Sequence, residues 1–504
     1  MASHTIREYI SLLAEKGLLT ETNAAGAADT PVTTLSFNSM EAGRGVLFIC
    51  KGAHFRREYL TDALLKGAAG YVSAEKYDLR DLNPSGANGP LYIIVSDIRK
   101  AMAFMANLCY DEAWKKLTIV GVTGTKGKST TVYYIKYILD VWLESQGKNP
   151  AALLSGVENY DGAVREESRL TTAEALELHR HFSNAVRNGA EYLVMEVSSQ
   201  ALKYDRTLGL IFDVACFLNI GEDHVSDAEH SDFEDYFRSK LKIFSQCEKA
   251  CVNIGAGDFR RVAEAAAKSA EIVTFGTAEA ADVYGYDLRS SENGISFRAR
   301  AESFDEEFAA PMRGVFNAEN AIAAIAAACC LNIPADSMRA GLKKAKVSGR
   351  MEIYEDGKDR IVIVDYAHNK MSFESLFRSV RIEYPGRKIS IVFGCPGKKA
   401  MDRRRELGTL AGRYADFVYI TEEDAGEESV EDISREIKKY VALQGCDCAV
   451  IPDRGEAIRR AVAASGADSV LLVTGKGRET RQKRGVKYVD TPSDVEFVKK
   501  YLGI

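Results

Sequence analysis

The stretch VGVTGTKGKSTT, at Val120–Thr131, decides how the centre of this chain folds. Its first residues are the end of the apolar segment LTIVGVT, which predicts a β-strand, and it leads into the apolar-rich segment VYYIKYILDVWL. The stretch therefore predicts a glycine-rich turn between a strand and an α-helix that begins at Lys128. Such a turn presents consecutive backbone N–H groups and a helix N-terminus to an anion. Phosphate is therefore the expected ligand.

The residue types of this turn match the residue roles in a Walker A loop. Lys128 can reach the outer phosphates as a point charge, and the Ser129 hydroxyl can ligate Mg²⁺. The spacing departs from the strict form, which requires glycine at position 122, where this chain has Val122. A generic strand–helix turn is the alternative. The position of Gly-Lys-Ser between a strand and a good helix favours binding of a nucleoside triphosphate.

Length and composition restrict the class of protein. A chain of 504 residues is too long for one hydrophobic core and suggests about three domains. A net charge of -6 and the lack of a basic block argue against nucleic acid as a partner. The longest apolar run is too short for a bilayer, and the first residues lack the order of a signal peptide, so we expect a soluble cytoplasmic protein without membrane insertion. The ten cysteines show no CxxC spacing and are expected to be reduced structural thiols.

Hydrophobic patterning predicts an α/β fold of three domains, at 1–114, 115–346 and 347–504. The central domain alternates strands and helices in the order of a doubly wound parallel sheet. An Asn-Gly turn within VYGYDLRSSENGISFRARAE then predicts a hairpin. The first domain mixes short strands and helices, and the third alternates again and is predicted to be Rossmann-like. The strands expected in the last two domains are LTIVGVT, EYLVMEVSS, DVACFLNI, KACVNIG, RIVIVDYAH, KISIVFGCPG, ADFVYITEED and SVLLVTGKG.

Seven segments besides the glycine-rich turn resemble, in order, motifs of one family. They are LTTAEALELH, MEVSSQAL, FLNIGEDH, FNAENAIAA, GRME, VDYAHN and VTGKGRE, while GTKGKSTT is similar to the family's G-T-N-G-K-T-T loop. The family is the Mur ligases, and the likeness is greatest to members that add the third residue of the peptidoglycan stem peptide. It implies three domains, for a UDP-sugar peptide, ATP and an amino acid. The implied reaction joins a diamino acid to UDP-N-acetylmuramoyl-L-alanyl-D-glutamate through an acyl phosphate.

The resemblance also implies the residues of the nucleotide site. Asn317 would lie by the adenine, Arg350 by the phosphates and Asp365 by the ribose, with His368 beside them. Read alone, Asn317 could be a helix cap and Arg350 part of a surface ion pair. The implied ATP-binding set is Gly124, Thr125, Lys126, Gly127, Lys128, Ser129, Thr130, Asn317, Arg350, Asp365 and His368. The implied catalytic residues are Lys128, Glu196, His224 and Lys240, and the Mg²⁺ ligands are Ser129, Glu196, His224 and carbamylated Lys240.

Lys240 lies in a predicted helix, SDFEDYFRSKLKIF, where it falls within an apolar stripe. Burial of a lysine favours the neutral amine, which can capture CO₂. A lysine that snorkels from the edge of the core is the alternative. The resemblance implies carbamylation, since Tyr236 to Lys240 has the family's Y-x-x-x-K spacing. The segment before it is two residues longer than the family form, which leaves the role of His230 open.

The resemblance implies that the UDP-sugar peptide contacts both the first and the central domain. Hydroxyl, amide and guanidinium groups suit its phosphate and carboxylate oxygens. Two departures stand out, because Ala173 replaces a family proline and Met40 replaces a family arginine. The implied residues are Asn38, Ser39, Thr171, Thr172, Ser198, Gln200 and Arg206.

The incoming amino acid is expected to bind the third domain. The stretch TEEDAGEES lacks the D-N-P-R arginine with which diaminopimelate-adding members hold the distal carboxylate. Its acids, Glu422 among them, could instead attract the ε-ammonium of L-lysine, so we favour L-lysine over meso-diaminopimelate. A solvated acidic loop is the alternative. The implied residues are Arg404, Glu423, Asp424, Gly475 and Glu479.

Two rival functions remain open from the sequence. One is a folylpolyglutamate-type or other Mur-type ligase with a different acceptor. The segment LTTAEALELH at 170–179, called the LTT loop below, and the first domain argue against folate. The other is a nucleotide switch, but no guanine-selecting N-K-x-D occurs, since Met371 and Ser372 follow Asn369-Lys370. The expected partners are small-molecule substrates, and the chain is expected to be a monomer.

Overall fold

The computed structural model describes residues 4–52, 55–79, 89–221, 229–269, 271–291, 293–347, 349–356 and 360–504. The first sheet has the strand order β2-β7-β6-β5-β4, parallel except for β2. Helices α1 and α3 pack on one face and α2 on the other. The elements are β1 (His4–Thr5), α1 (Ile6–Glu15), β2 (Leu19–Thr22), β3 (Pro31–Val32), β4 (Thr34–Ser36), β5 (Val46–Ile49), α2 (Arg57–Leu65), β6 (Gly70–Ser73), β7 (Tyr92–Val95) and α3 (Ile98–Cys109).

The central sheet has the order β11-β10-β9-β12-β8-β13-β14-β15-β16-β17-β18. Strands β9 to β16 of this order run parallel, and antiparallel strands extend both ends. The elements are β8 (Thr118–Thr123), α4 (Lys128–Ser145), β9 (Ala152–Leu154), β10 (Glu158–Tyr160), β11 (Arg165–Glu167), α5 (Ala175–Arg187), β12 (Tyr192–Glu196), α6 (Ser199–Lys203), β13 (Phe212–Phe217), α7 (Phe233–Leu241), β14 (Cys247–Asn253), α8 (Phe259–Ala266), β15 (Glu271–Gly276), β16 (Val283–Ser291), β17 (Gly294–Ala301), β18 (Phe304–Ala310), α9 (Phe316–Cys330) and α10 (Ala335–Lys344).

The third sheet has the order β19-β20-β24-β21-β22-β23, parallel except for β19, and β25 and β26 form a separate hairpin. The elements are β19 (Glu352–Glu355), β20 (Ile361–Asp365), α11 (Lys370–Glu383), β21 (Lys388–Phe393), α12 (Asp402–Tyr414), β22 (Phe417–Ile420), α13 (Val430–Ala442), β23 (Asp447–Val450), α14 (Arg454–Ala464), β24 (Ser469–Thr474), β25 (Arg481–Arg484), β26 (Lys487–Asp490) and α15 (Asp494–Leu502). Short 3₁₀ helices span Ala24–Gly26, Ser39–Glu41, Ala113–Lys116 and Lys242–Gln246.

Helices cover both faces of the central sheet, as a doubly wound fold requires. On one face α4 and α9 pack together, and the alanine-rich α9 is so deeply buried that residues 321–328 are all 0% exposed. Small side chains allow this close approach. On the other face α5 and α7 pack against the same strands. Among the described residues, no helix is both long and apolar enough to cross a membrane.

The predicted α/β class with three domains is confirmed, and so are the strands expected in the central and third domains. The Asn-Gly hairpin is confirmed as β16–β17, and β18 extends it within the central sheet. The helix predicted through Phe244 ends at Leu241 and continues as a 3₁₀ turn. The β25–β26 hairpin was not predicted because its strands, RQKR and KYVD, are rich in charge and lack an alternating apolar pattern. The domain bounds at 114 and 346 remain a prediction.

Candidate active site

A cavity of about 400 Å³ lies between the central and third domains. Its walls come from the glycine-rich turn, the carboxyl ends of neighbouring strands and the loops of the third domain. It brings most of the predicted site residues together: Thr125, Lys126, Gly127, Lys128, Ser129, Thr130, Thr171, Glu196, Ser198, Gln200, Arg206, Lys240, Asn317, Arg350, Asp365, His368, Glu423, Asp424, Gly475 and Glu479. Residues from three predicted subsites thus share one cavity.

The glycine-rich turn has the geometry expected of a phosphate loop. Gly127 precedes α4 with φ +85°, and a Cβ there would lie 2.3 Å from Oδ1 of Asn320. A side chain at this position would therefore be strained and would clash. Gly124 lies outside the cavity wall, and its carbonyl accepts a 2.9 Å hydrogen bond from Nζ of Lys128. Gly121 has a packing role, since a Cβ there would lie 2.8 Å from the ring of Phe212.

Glu196 ends β12 and pairs in register with Val122 of β8, which places its carboxylate beside the phosphate loop. The residue is 2% exposed, and its Oε1 accepts a 2.8 Å hydrogen bond from the N–H of Gly156. Its backbone carbonyl accepts another from the Thr172 hydroxyl. A carboxylate at the carboxyl end of a parallel strand faces the crevice where ligands bind in such sheets.

Lys240 is buried, with 1% of the residue exposed, as its place in the apolar stripe predicts. Its Nζ donates a 3.0 Å hydrogen bond to the carbonyl of Gly124 and lies 4.7 Å from the ring centroid of Tyr236. The phosphate loop and α7 are thus joined at Gly124. His224 lies outside the described residues. His230 is buried and contacts the Ser199 hydroxyl through Nε2 at 3.0 Å.

The third domain forms the cavity wall that faces the phosphate loop. Arg350 crosses to the phosphate loop, where its Nη2 donates a 3.0 Å hydrogen bond to the Ser129 hydroxyl. Its guanidinium also lies over the Tyr366 ring. The Asp365 carboxylate accepts hydrogen bonds from the backbone N–H groups of Met351 and Ala367. Burial raises the pKa of Asp365, an effect that the charge of Arg350 opposes.

His368 and Asn317 complete this wall. Nδ1 of His368 lies 2.7 Å from the carbonyl of Tyr366, and the two rings pack edge to face. Asn317 is 1% exposed and lies in the first turn of α9, where its amide donates to the carbonyl of Arg313 at 2.7 Å. It therefore does not act as the N-cap that its sequence position allowed.

The predicted acceptor residues surround Thr172, which is buried behind the cavity wall. The Thr172 hydroxyl accepts from the N–H of Ser198, and its carbonyl accepts from Nη1 of Arg206. Arg206 also pairs with Glu174 at 2.9 Å. Gln200 donates from Nε2 to Glu229 at 3.2 Å. This network orients the LTT loop toward Glu196.

Asn38 and Ser39 lie in the first domain and do not line the cavity. The Asn38 side chain caps a short 3₁₀ helix, accepting from the N–H of Met40 and donating to Glu41. The carbonyl of Ser39 accepts a hydrogen bond from Lys66. The Met40 side chain, which replaces the family arginine, is exposed.

Glu423 and Gly475 form one corner of the cavity. Gly475 has φ +108°, and a Cβ there would lie 2.2 Å from the Glu423 carboxylate, so a side chain would be strained and would displace that carboxylate. Burial raises the pKa of Glu423 from 4.5 to about 7, against the charges of Arg454 and Arg403. Nearby, Lys476 forms ion pairs with Asp424 and Glu479.

Arg404 differs from its predicted position. Its guanidinium forms ion pairs with Glu428 at 2.7 Å and Glu436 at 2.9 Å and does not line the cavity. The adjacent Arg403 lines the cavity in its place. Helical rotation of about 100° per residue sends neighbouring side chains in different directions, and the sequence alone could not choose between them.

Several other cavity residues were missed. Lys476 lies inside the VTGKGRE motif, and Asn219 lies inside FLNIGEDH, so their motifs carried the signal. Arg169 and Arg481 had no comparable signal. Tertiary structure brings both to the cavity, where Arg481 donates to the carbonyl of Ser168 at 3.0 Å.

The fold and the cavity define a three-domain nucleotide-binding enzyme of the α/β class. Two family models match the chain: the Mur ligase middle domain over residues 122–328, and the Mur ligase, glutamate ligase domain over residues 349–477. The UDP-N-acetylmuramoyl-L-alanyl-D-glutamate--L-lysine ligase of Enterococcus faecalis is 35% identical, covering 98% of this chain and 94% of that protein.

A second relative is named for a different amino acid. The UDP-N-acetylmuramoyl-L-alanyl-D-glutamate--2,6-diaminopimelate ligase of Caldanaerobacter subterraneus is 33% identical over 95% of this chain and 96% of its own. A solved structure of a 2,6-diaminopimelate ligase shares the fold, with a TM-score of 0.65 and 24% identity over 100% of this chain and 99% of that one. The chain belongs to the Mur ligase family.

Proposed function

We propose that this enzyme joins a diamino acid, L-lysine in preference to meso-diaminopimelate, to UDP-N-acetylmuramoyl-L-alanyl-D-glutamate at the expense of ATP. The product would be the nucleotide-linked tripeptide precursor of peptidoglycan. One observation carries the proposal. A single cavity holds a phosphate loop, the LTT loop with Arg206, and the acidic corner around Glu423. A triphosphate, an acidic acceptor and an amino acid can therefore meet there.

The proposed reaction has two steps. A carboxylate oxygen of the acceptor attacks the γ-phosphorus of ATP, ADP leaves, and an acyl phosphate forms. The amine of the incoming amino acid then attacks the acyl carbon through a tetrahedral intermediate, and phosphate leaves. Lys128 and Arg350 would neutralise charge on the transferred phosphoryl group, since catalysis of such transfer rests on positioning and electrostatics.

The residues beside the loop suit Mg²⁺, which prefers hard oxygen ligands. The Ser129 hydroxyl and the Glu196 carboxylate supply such oxygens at the cavity wall. Within the described residues, no group of three or more His, Cys, Asp or Glu side chains could hold a metal by itself. Phosphate oxygens would thus complete the coordination, and the bound ion would screen phosphate charge.

We also propose that Lys240 is carbamylated. Its neutral amine would attack CO₂, lose one proton and become an anion next to Gly124, which would add an oxygen ligand near the loop. Burial supports this, because an ammonium in that position is costly. Lys240→Ala should abolish ligation. Native mass spectrometry in bicarbonate buffer should find the added mass of CO₂ on the wild type and none on the variant, and an unmodified active wild type would reject the carbamate.

The preference for lysine rests on the acidic corner. Glu423 and Asp424 line the cavity, and the stretch TEEDAGEES has no arginine where the D-N-P-R motif has one. A cationic ε-ammonium suits this corner better than a second carboxylate does. Ionised Glu423 would repel the distal carboxylate of diaminopimelate, whereas Asp424 is already paired with Lys476.

Phosphate release tests the reaction directly. The purified chain with ATP and Mg²⁺ should release phosphate only when both the UDP-dipeptide and an amino acid are present, and faster with lysine than with diaminopimelate. Lys128→Ala should remove this activity. Release that needs neither acceptor nor amino acid would favour a nucleotide switch, and a clear preference for diaminopimelate would reject the acidic-corner argument.

We also propose that the enzyme is a monomer and that it acts in the cytoplasm. Sedimentation at several protein concentrations tests the monomer, and a stable dimer would contradict it. A folylpolyglutamate-type activity stays the second candidate. It predicts turnover with a folate acceptor in place of the UDP-dipeptide.

A further inference from the structure

The phosphate loop contains a second lysine, Lys126, whose side chain leaves the loop. Its Nζ donates to the Ser375 hydroxyl and, at 3.5 Å, to the carbonyl of Met371. Both partners lie on α11 of the third domain. Lys128, two residues later, instead folds back and donates to the carbonyls of Gly124 and Thr125. The two lysines of one turn therefore point to different structural partners.

The backbone of Lys126 is held in place by the side chain of Asn219. Asn219 accepts a 3.0 Å hydrogen bond from the N–H of Lys126 and donates a 3.1 Å hydrogen bond to its carbonyl. This two-point contact restrains the peptide on both sides of the Cα. Burial lowers the pKa of Lys126, an effect that the charges of Glu319 and Glu374 oppose. A half-buried ammonium that donates to two oxygens is satisfied in this place.

A second contact joins the same two regions. Gly221 approaches α11 so closely that a Cβ would lie 2.2 Å from Sδ of Met371. Gly221 is tied to the phosphate loop, since its N–H donates to the Thr125 hydroxyl at 3.1 Å. The first turns of α11 thus touch the loop through Lys126 and through Gly221.

The predicted nucleotide residue His368 lies just before α11 and is joined to its first turn. Asn369 caps the helix through a box with Ser372, and the N–H of His368 donates to the Ser372 hydroxyl. Ser375 donates to the carbonyl of Met371 and closes the same turn. Any contact that holds α11 against the phosphate loop therefore also holds His368 opposite that loop.

We propose that Lys126 is a positioning residue that latches α11 onto the phosphate loop and so sets the third domain over the nucleotide. The cavity walls come from both domains, so in this proposal the latch opens when substrates enter and re-forms when they are bound. The latch would act on the incoming amino acid, which the third domain carries. This inference rests on the proposed ligation only for the expected changes in KM and kcat.

Lys126→Ala and Ser375→Ala test the latch from its two ends. Each variant should raise the KM for the amino acid about tenfold and lower kcat, because each loses the same charged hydrogen bond. The double variant should be no worse than the single ones, since coupled partners are not additive. Lys126→Arg should recover most of the loss. Lys343→Ala, at an exposed site on α10, is the matched lysine control.

Two measurements do not depend on turnover. Small-angle scattering of the free protein should show a larger radius of gyration for both alanine variants than for wild type and the control. Ser375→Ala should bind ATP alone as wild type does, whereas Lys128→Ala should not bind it. If Lys126→Ala lost ATP as Lys128→Ala does while Ser375→Ala had no effect, Lys126 would be a phosphate ligand and the latch would be overturned. A chain without ligase activity would contradict the proposed function and leave these two readouts interpretable.

Discussion

At the scale of single residues, Glu423 shows how burial changes the chemistry of an ordinary acid. Its side chain fits against Gly475, and burial raises its pKa from 4.5 to about 7. Below that pH the folded protein keeps a proton that the unfolded chain releases above pH 4.5, so this group lowers stability as pH rises between the two values. A bound cation would favour the ionised form instead.

Lysine binding should therefore strengthen with pH. The ε-ammonium of lysine keeps its charge throughout, while Glu423 ionises, so the dissociation constant should fall about tenfold from about pH 6 to about pH 8. Calorimetric titration of the complex with an ATP analogue and the UDP-dipeptide would measure this. Glu423→Gln should flatten the dependence, and Glu302→Gln, on an exposed turn, should not. Equal slopes for wild type and Glu423→Gln would rule out this carboxylate.

At the scale of elements, the β25–β26 hairpin braces the acidic corner. Arg484 pairs with the buried Glu422, and the N–H of Lys483 donates to the Asp424 carboxylate at 2.8 Å. Gln482 accepts a hydrogen bond from the N–H of Asp424. The hairpin is itself highly charged, and its contacts to the loop at 422–426 hold it in place. Three neighbouring residues of one strand thus hold the loop that forms the acidic corner.

Arg484→Ala should loosen that corner. Removing the guanidinium leaves the Glu422 carboxylate buried without its ion partner, which should cost about 1–3 kcal/mol and lower the melting temperature. The KM for the amino acid should rise more than the KM for ATP, because the hairpin contacts the loop at 422–426 and the predicted ATP-binding residues lie around the phosphate loop. Thermal melts and initial rates would measure both effects. Lys487→Ala, on exposed β26, is the control, and an equal effect there would refute a specific brace.

At the scale of the whole molecule, the cavity exists only where two domains meet. Arg350 crosses from the third domain to Ser129, and Arg481 crosses to the carbonyl of Ser168. Thr480 adds a hydrogen bond to Glu167. These contacts are polar, and polar contacts between domains are compatible with relative domain motion.

Arg350→Ala tests the contribution of the third domain to phosphoryl transfer. The N–H donors of the phosphate loop remain, so ATP affinity should change little, while kcat should fall about a hundredfold because one preorganised cation is lost. Arg350→Lys should recover part of the rate, since the charge returns without its planar fork. Rapid-quench measurement of ADP formation separates binding from chemistry. A raised ATP dissociation constant with unchanged kcat would contradict this role.

The local pattern of the sequence was enough for the alternation of strands and helices, the phosphate loop and the burial of Lys240, because each follows from hydrophobic period and glycine placement over a few residues. Tertiary structure alone decided that Arg403 and not Arg404 reaches the cavity, that Lys126 crosses to α11, and that the β25–β26 hairpin braces the acidic loop. These depend on contacts between segments far apart in the chain. No local period encodes such contacts, since they arise only when separately folded sheets are brought together.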